Sequence, residues 1–149
     1  MHERVVFATL VCMEPQHLVL YDGDCGVCHR TVQWILREDA RGMFRFAPLQ
    51  GPTAAAVRAR HPDLPTDLDS VIYVDRSSGA ERVSVRSEAI FEIARRLGGW
   101  AARLAAFRAL PRALTDAAYG VFARNRHRVS STLGVCPLPP PTTEARFLP

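Results

Sequence analysis

His17-Leu18-Val19-Leu20-Tyr21-Asp22-Gly23-Asp24-Cys25-Gly26-Val27-Cys28 changes its repeat half-way along. Residues 17–22 are a short run rich in strand formers, and Gly23 closes it. From Cys25 to about Asp39 the period becomes helical: Cys28, Val32, Ile35 and Leu36 recur at i, i+4, i+7 and i+8, one buried stripe. Asp24 stands just before the first turn, where a side-chain oxygen can cap free backbone N–H groups, and Gly42 suits the stop. A strand hands over to a helix at a pair of cysteines.

Working outward, Phe44 to Leu49 reads as a second strand and Pro52 to His61 as an alanine-rich helix with proline in its first turn. Ser70 to Asp75 is a third strand, and Glu81 to Val85 returns as a fourth after the turn-like segment 76–79. Ser87 is placed to cap a helix running to Leu97, with Glu88 in its positive first turn and Gly98-Gly99 at its end. Trp100 to Leu110 and Pro111 to Arg128 read as two further helices, the second with an apolar stripe through Leu114, Ala118, Val121 and Phe122. The tail from Pro137 holds five of the eleven prolines and is expected to be extended and poorly packed.

A strand–helix–strand start requires a parallel pair, and a hairpin adds antiparallel strands. The expected fold class is α/β: a thioredoxin-like mixed four-stranded sheet flanked by helices, with a C-terminal helical extension. Residues 1–16 are read as an N-terminal extension, 17–99 as the core, 100–136 as a helical extension of the same domain and 137–149 as a proline-rich tail. Met13 would also make a natural start, which would leave residues 1–12 upstream of the fold.

Two cysteines three apart at a helix start stand on one face, close enough for a small-loop disulfide. The free N–H groups and dipole of the first turn favour a thiolate on Cys25, while Cys28 shares the buried stripe with Val32 and Ile35. The pattern predicts an exposed attacking thiol and a shielded resolving thiol, as disulfide exchange requires. Asp22, at the strand's end, is either a proton acceptor for Cys28 or an Asx-type turn residue. Asp24 and Arg30 flank the thiols with opposite effects on a thiolate, and His29 reads as a neighbour that tunes charge. Cys25-Gly-Val-Cys28-His29 also spells the c-type haem attachment pattern, but the strand-rich order argues against a haem pocket. A zinc site would need four ligands, and only remote Cys136 or another histidine could complete one. No cofactor and no metal are expected. Cys12 and Cys136 each stand alone and are not read as a catalytic pair.

Tyr21-Asp22-Gly23-Asp24-Cys25-Gly26-Val27-Cys28 resembles the signature of the DCC family of thiol–disulfide oxidoreductases, named for Asp-x-x-Cys-x-x-Cys. The resemblance continues through Arg45-Phe46-Ala47-Pro48-Leu49-Gln50, Arg86-Ser87-Glu88-Ala89 and Arg96-Leu97-Gly98-Gly99. It reaches Pro111, Tyr119, Arg124-Asn125-Arg126 and Arg146-Phe147-Leu148. It implies a thioredoxin-like fold, protein disulfide oxidoreductase activity, and Asp22, Cys25 and Cys28 as the functional set. One departure stands out. Better-known thioredoxins place a cis-proline before the strand facing the cysteines, whereas Ser70 precedes Val71 here and Pro65 is the nearest proline.

Composition sets the outer bounds. The 149 residues suit one domain, and 48% hydrophobic with 23% charged residues exclude a disordered or collagen-like chain. Val5 to Met13, interrupted only by Thr9, is too short to span a bilayer. His2 and Arg4 ahead of this stretch echo a signal peptide, but no small-x-small cleavage site follows, and a cytoplasmic location is expected. All 19 basic residues are arginine. From Arg95 to Arg128 eight arginines meet a single acid, Asp116, a net +7, against −3 elsewhere from 11 arginines and 14 acids. Such a face could meet nucleic acid, an anionic membrane or an acidic partner. It is read as a solvated arginine face on a helix pair, and no nucleic-acid partner is expected.

The primary expectation is a thiol–disulfide oxidoreductase exchanging disulfides with protein or small thiol substrates and drawing on an electron donor. The alternative is a thioredoxin-like binding module whose CxxC is a redox switch or metal clip and whose basic helices dock a partner.

Overall fold

β1 (His17–Tyr21) is the strand around which the sheet is built. Its first four residues are buried, the pattern of a strand covered on both faces. The computed structural model describes residues 15–64, 70–104, 106, 109–133 and 141–149. β1 pairs in parallel with β2 (Phe44–Pro48) and antiparallel with β3 (Ile72–Asp75), and β3 pairs antiparallel with β4 (Arg82–Val85). The order β2-β1-β3-β4 is the mixed, thioredoxin-like sheet expected from the sequence. Val19 lies opposite Phe46 and Tyr73, and Leu20 opposite Ala47 and Ile72.

Because successive side chains of a strand point to opposite faces, β1 feeds two cores. On one face Val19 joins Phe44, Phe46 and Tyr73 beneath Cys28, Val32 and Ile35 of α1 (Gly26–Glu38) and Ala89 and Ile93 of α3 (Arg86–Leu97). On the other, Leu18 and Leu20 join Ala47, Ile72 and Val74 under Ala54 and Val57 of α2 (Pro52–Arg60). Each Val, Leu, Ile or Phe side chain among them contributes about 1.5–3 kcal/mol by leaving water. α1 thus crosses from β1 to β2 on the face that carries the cysteines.

Helix starts differ from the capping read in the sequence. The N-cap of α1 is Cys25 itself, with no side-chain cap; the Asp24 N–H instead donates to Asp22 Oδ1 at 3.1 Å. Ser87 does not cap α3, whose N-cap is Val85; its hydroxyl donates to Asp116 Oδ1 at 3.0 Å. The reason is that β4 runs straight into α3 with no linker. The chain turns within one residue, Arg86, at φ 56°, a left-handed conformation costly for a side-chain-bearing residue. After α1, Gly42 makes the turn toward β2 at φ 66° rather than ending the helix at its own position.

The helix expected over Trp100 to Leu110 is shorter: α4 spans Ala101–Leu104. α5 (Arg112–Leu133) runs beyond Arg128, since Val129-Ser130-Ser131-Thr132 contains no breaker. The described part of the tail is not poorly packed. A 3₁₀ turn (Pro141–Arg146) leads Phe147 into a bridge with Phe46, and Leu148 N–H donates to the Phe46 carbonyl at 2.7 Å. Arg146 pairs with the buried Asp39 carboxylate, which also accepts from the N–H groups of Met43 and Phe44 at 3.1 and 3.0 Å. The Pro149 carbonyl accepts from Thr53 Oγ1 at 2.6 Å and sits so close to Gly51 that a Cβ there would meet the backbone at 2.9 Å. Residues 141–149 are a strap along β2, because edge-strand polar groups and a buried acid both need partners. Pro15 and Gln16, assigned to the N-terminal extension, are tied to the core by Arg76 through their carbonyl oxygens. The remainder of that extension, Cys12, Pro65 and Cys136 lie outside the described residues.

Candidate active site

The site forms where β1 ends. Leu49 N–H donates to the Tyr21 carbonyl at 2.8 Å, holding the strand's last residue beside β2. The chain then turns through Asp22-Gly23-Asp24, closed by Cys25 N–H on the Asp22 carbonyl at 3.3 Å. Asp22 Oδ1 accepts from the Asp24 N–H and from Gln50 Nε2 at 3.0 Å, while Gln50 Oε1 receives the Gly23 N–H at 3.4 Å. Gln50 therefore clamps the turn from the end of β2. Nothing local in the sequence marks Gln50 as a site residue; its place in the Arg45–Gln50 segment is the available signal.

Cys25 is the hinge between turn and helix, with extended backbone (φ −102°, ψ 111°), and its carbonyl accepts the first helical bond from His29 at 3.1 Å. Both thiols are free. Cys28 is 6% exposed, as its place on the stripe requires. Cys25 is also buried, at 8%, where the sequence pattern predicts exposure. The reason is packing from distant segments: it joins the same apolar cluster as Val71, Ile93 and, at its margin, Phe147. Tyr21 makes edge contacts with His29 at 5.7 Å and Phe147 at 6.3 Å, so the strap reaches the shoulder of the site.

Burial pushes the Cys28 thiol up to about 12, and the neighbouring Cys25 sulfur adds to this through charge repulsion. A hydrogen bond with the Asp22 backbone works the other way, while hydrogen bonding to Cys25 and the Asp22 charge raise it further. The two thiols lie near each other in one apolar cluster at the start of α1, with the Asp22 carboxylate within electrostatic range of Cys28. The structure brings Asp22, Cys25 and Cys28 together. Among the described residues no group of three or more His, Cys, Asp or Glu side chains is arranged to hold a metal ion, and His29 packs on the Tyr21 ring.

Cys28 also forms part of the wall of a cavity of about 470 Å³ between α1, α3 and α5, with Val71, Ile90, Phe91, Leu114 and Ala118. Several arginines of the extended sequence motif serve as ties elsewhere. Arg45 donates to the Gly42 carbonyl at 2.8 Å, and Arg96 pairs with Asp75 at 2.6 Å. No described helix is long and apolar enough to cross a membrane.

Residues 19–132 match the model of the DCC1-like thiol-disulfide oxidoreductase family. The chain is 32% identical over 136 residues to the uncharacterized protein YuxK of Bacillus subtilis (strain 168), covering 91% of this chain and 96% of that one. It is 27% identical over 122 residues to a chloroplastic DCC family protein of Arabidopsis thaliana, covering 81% and 69%. No solved structure gives a significant match.

Proposed function

Because the chain belongs to the DCC1-like thiol-disulfide oxidoreductase family, we propose that Cys25 and Cys28 are its working dithiol and Asp22 the proton acceptor. The reading rests on one observation: two free, neighbouring thiols at a strand-to-helix junction, the second held protonated by burial. Cys25 attacks one sulfur of a substrate disulfide. A Cys25–substrate disulfide forms, and the other substrate sulfur leaves as a thiolate. Cys28 then gives its proton to Asp22 and attacks the Cys25 sulfur. The Cys25–Cys28 bond forms, the remaining substrate sulfur departs, and two electrons have moved from protein to substrate. A thiol donor returns the pair to its reduced state.

Protonation of Cys28 suits the resolving role. A neutral thiol does not compete for external disulfides, and its attack becomes intramolecular once the mixed disulfide forms. The proposed substrates are protein or small-molecule disulfides and thiols, and the proposed compartment is the cytoplasm.

Trapping tests the assignment. Cys28→Ser should accumulate mixed disulfides, seen as reducible adducts by intact mass, while Cys25→Ser should form none. Equal trapping by both variants would reverse or remove the roles.

A further inference from the structure

The cavity beside Cys28 has walls that narrow what can enter it. Among the described residues no Asp, Glu, Arg or His lines it. Beside the phenol of Tyr119, which is uncharged, the wall carries three hydroxyls, and each donates to the chain. Thr31 donates to the Val27 carbonyl at 3.1 Å, Thr115 to the Arg112 carbonyl at 3.0 Å, and Ser87 to Asp116. The nearby charges are also engaged outside the wall, Arg112 with Glu88 at 3.2 Å and Asp116 with Ser87. A charged ligand would give up its hydration here and find no counter-charge, a cost of several kcal/mol in an apolar site. An uncharged apolar one would lose nothing comparable. The volume of about 470 Å³ lies in the range of small-molecule sites.

The wall holds one thiol, that of Cys28, and Cys25 lies near it, three residues earlier at the N-cap of the same helix and in the same apolar cluster. We propose that the cavity binds the carbon skeleton of a small, uncharged, apolar disulfide, with its S–S bond presented to the Cys25–Cys28 pair. This rests on the dithiol reading and adds its substrate class. Cys25 forms a bond to one ligand sulfur and breaks the ligand S–S bond, and the freed ligand thiolate takes up a proton. Cys28, deprotonated, then bonds to Cys25 and expels the second ligand sulfur, which is protonated in turn. The ligand gains two electrons and two protons, and the protein pair supplies the electrons.

The test uses three probes on the full chain. Lipoamide is an uncharged cyclic disulfide on an aliphatic amide, octanamide has the same chain without sulfur, and glutathione disulfide is charged. Octanamide should shift the methyl resonances of Val71, Ile90 and Leu114 and compete with lipoamide. Single-turnover oxidation of the pre-reduced protein should favour lipoamide over glutathione disulfide by about tenfold or more in apparent second-order rate. Ala118→Trp, at an exposed position of α5, fills the cavity mouth and should weaken octanamide binding and raise the half-saturating lipoamide concentration by about tenfold. If that variant does not fold, the wild-type methyl shifts decide. Lipoamide turnover with those methyls unmoved by octanamide overturns the cavity assignment alone. Octanamide binding with neither disulfide turned over overturns the dithiol reading, and the substrate class with it.

Discussion

At neutral pH the Cys28 thiol is protonated in nearly every molecule, because burial first and the adjacent Cys25 sulfur second push it up to about 12. An alkylating agent reacts with thiolates, so labelling of the reduced protein between pH 6 and about 9 should reach Cys25 well before Cys28. Peptide mapping of partly labelled protein checks this, and equal labelling would contradict it. Gln50→Ala removes the side chain that holds Asp22 Oδ1 from β2. The expected result is slower decay of a preformed Cys25 mixed disulfide, with a stability loss of about 1–2 kcal/mol, that of two exposed hydrogen bonds, to Asp22 and from Gly23. Stopped-flow and urea titration separate the two. The cysteine spacing, the stripe through Cys28, Val32 and Ile35, and the place of Asp22 were legible in the sequence because each is a local relation. The Gln50 clamp and the burial of Cys25 were not, since both depend on residues brought in by β2, α3 and the strap.

Elements were read well wherever their periodicity is local, and all four strands and α1 to α3 lie within about two residues of their expected bounds. The misreadings fall where two elements meet. Ser87 reads as a cap, yet β4 leaves it no N-cap position, and Arg86 takes the strained turn. The strap escaped notice because prolines report an inability to join regular structure, not an inability to dock. Its anchor is testable. Arg146→Ala leaves the fully buried Asp39 carboxylate with only two backbone donors. Removing one partner of such a pair costs roughly 3–5 kcal/mol, and the two remaining bonds place this case near 3. Chemical denaturation should show that loss, and Asp39→Asn, which removes the charge as well, should partly restore stability in the Arg146→Ala background.

At the scale of the molecule, several charges of the described residues join parts distant in the chain. Glu81, at the entrance to β4, accepts from Arg60 and His61 at the end of α2 and from Arg76 of the hairpin, at 3.1, 2.7 and 2.6 Å. Burial alone would raise its carboxyl, but these hydrogen bonds outweigh that and hold it at about 2, against 4.5 unperturbed. With the folded value the lower one, the stabilisation is fully present above about pH 4.5 and is lost as pH falls toward 2. At about 1.4 kcal/mol for each pH unit between the two values, it is on the order of 3 kcal/mol. Glu81→Gln should therefore be less stable than wild type at pH 7, with the gap closing near pH 2; a gap unchanged by acid would count against this account. The strap carries a further consequence, in the order of events during synthesis. Arg146 and Asp39 are 107 positions apart, and Thr53 and Pro149 are 96. A nascent chain can pair β1, β2 and β3 as soon as those strands emerge, yet Asp39 has no counter-charge from Arg146 until residues 141–149 emerge later. The closing step of folding thus waits for residues 141–149, and a chain stalled before Arg146 presents β2 as an open edge to chaperones and to its neighbours on the same message.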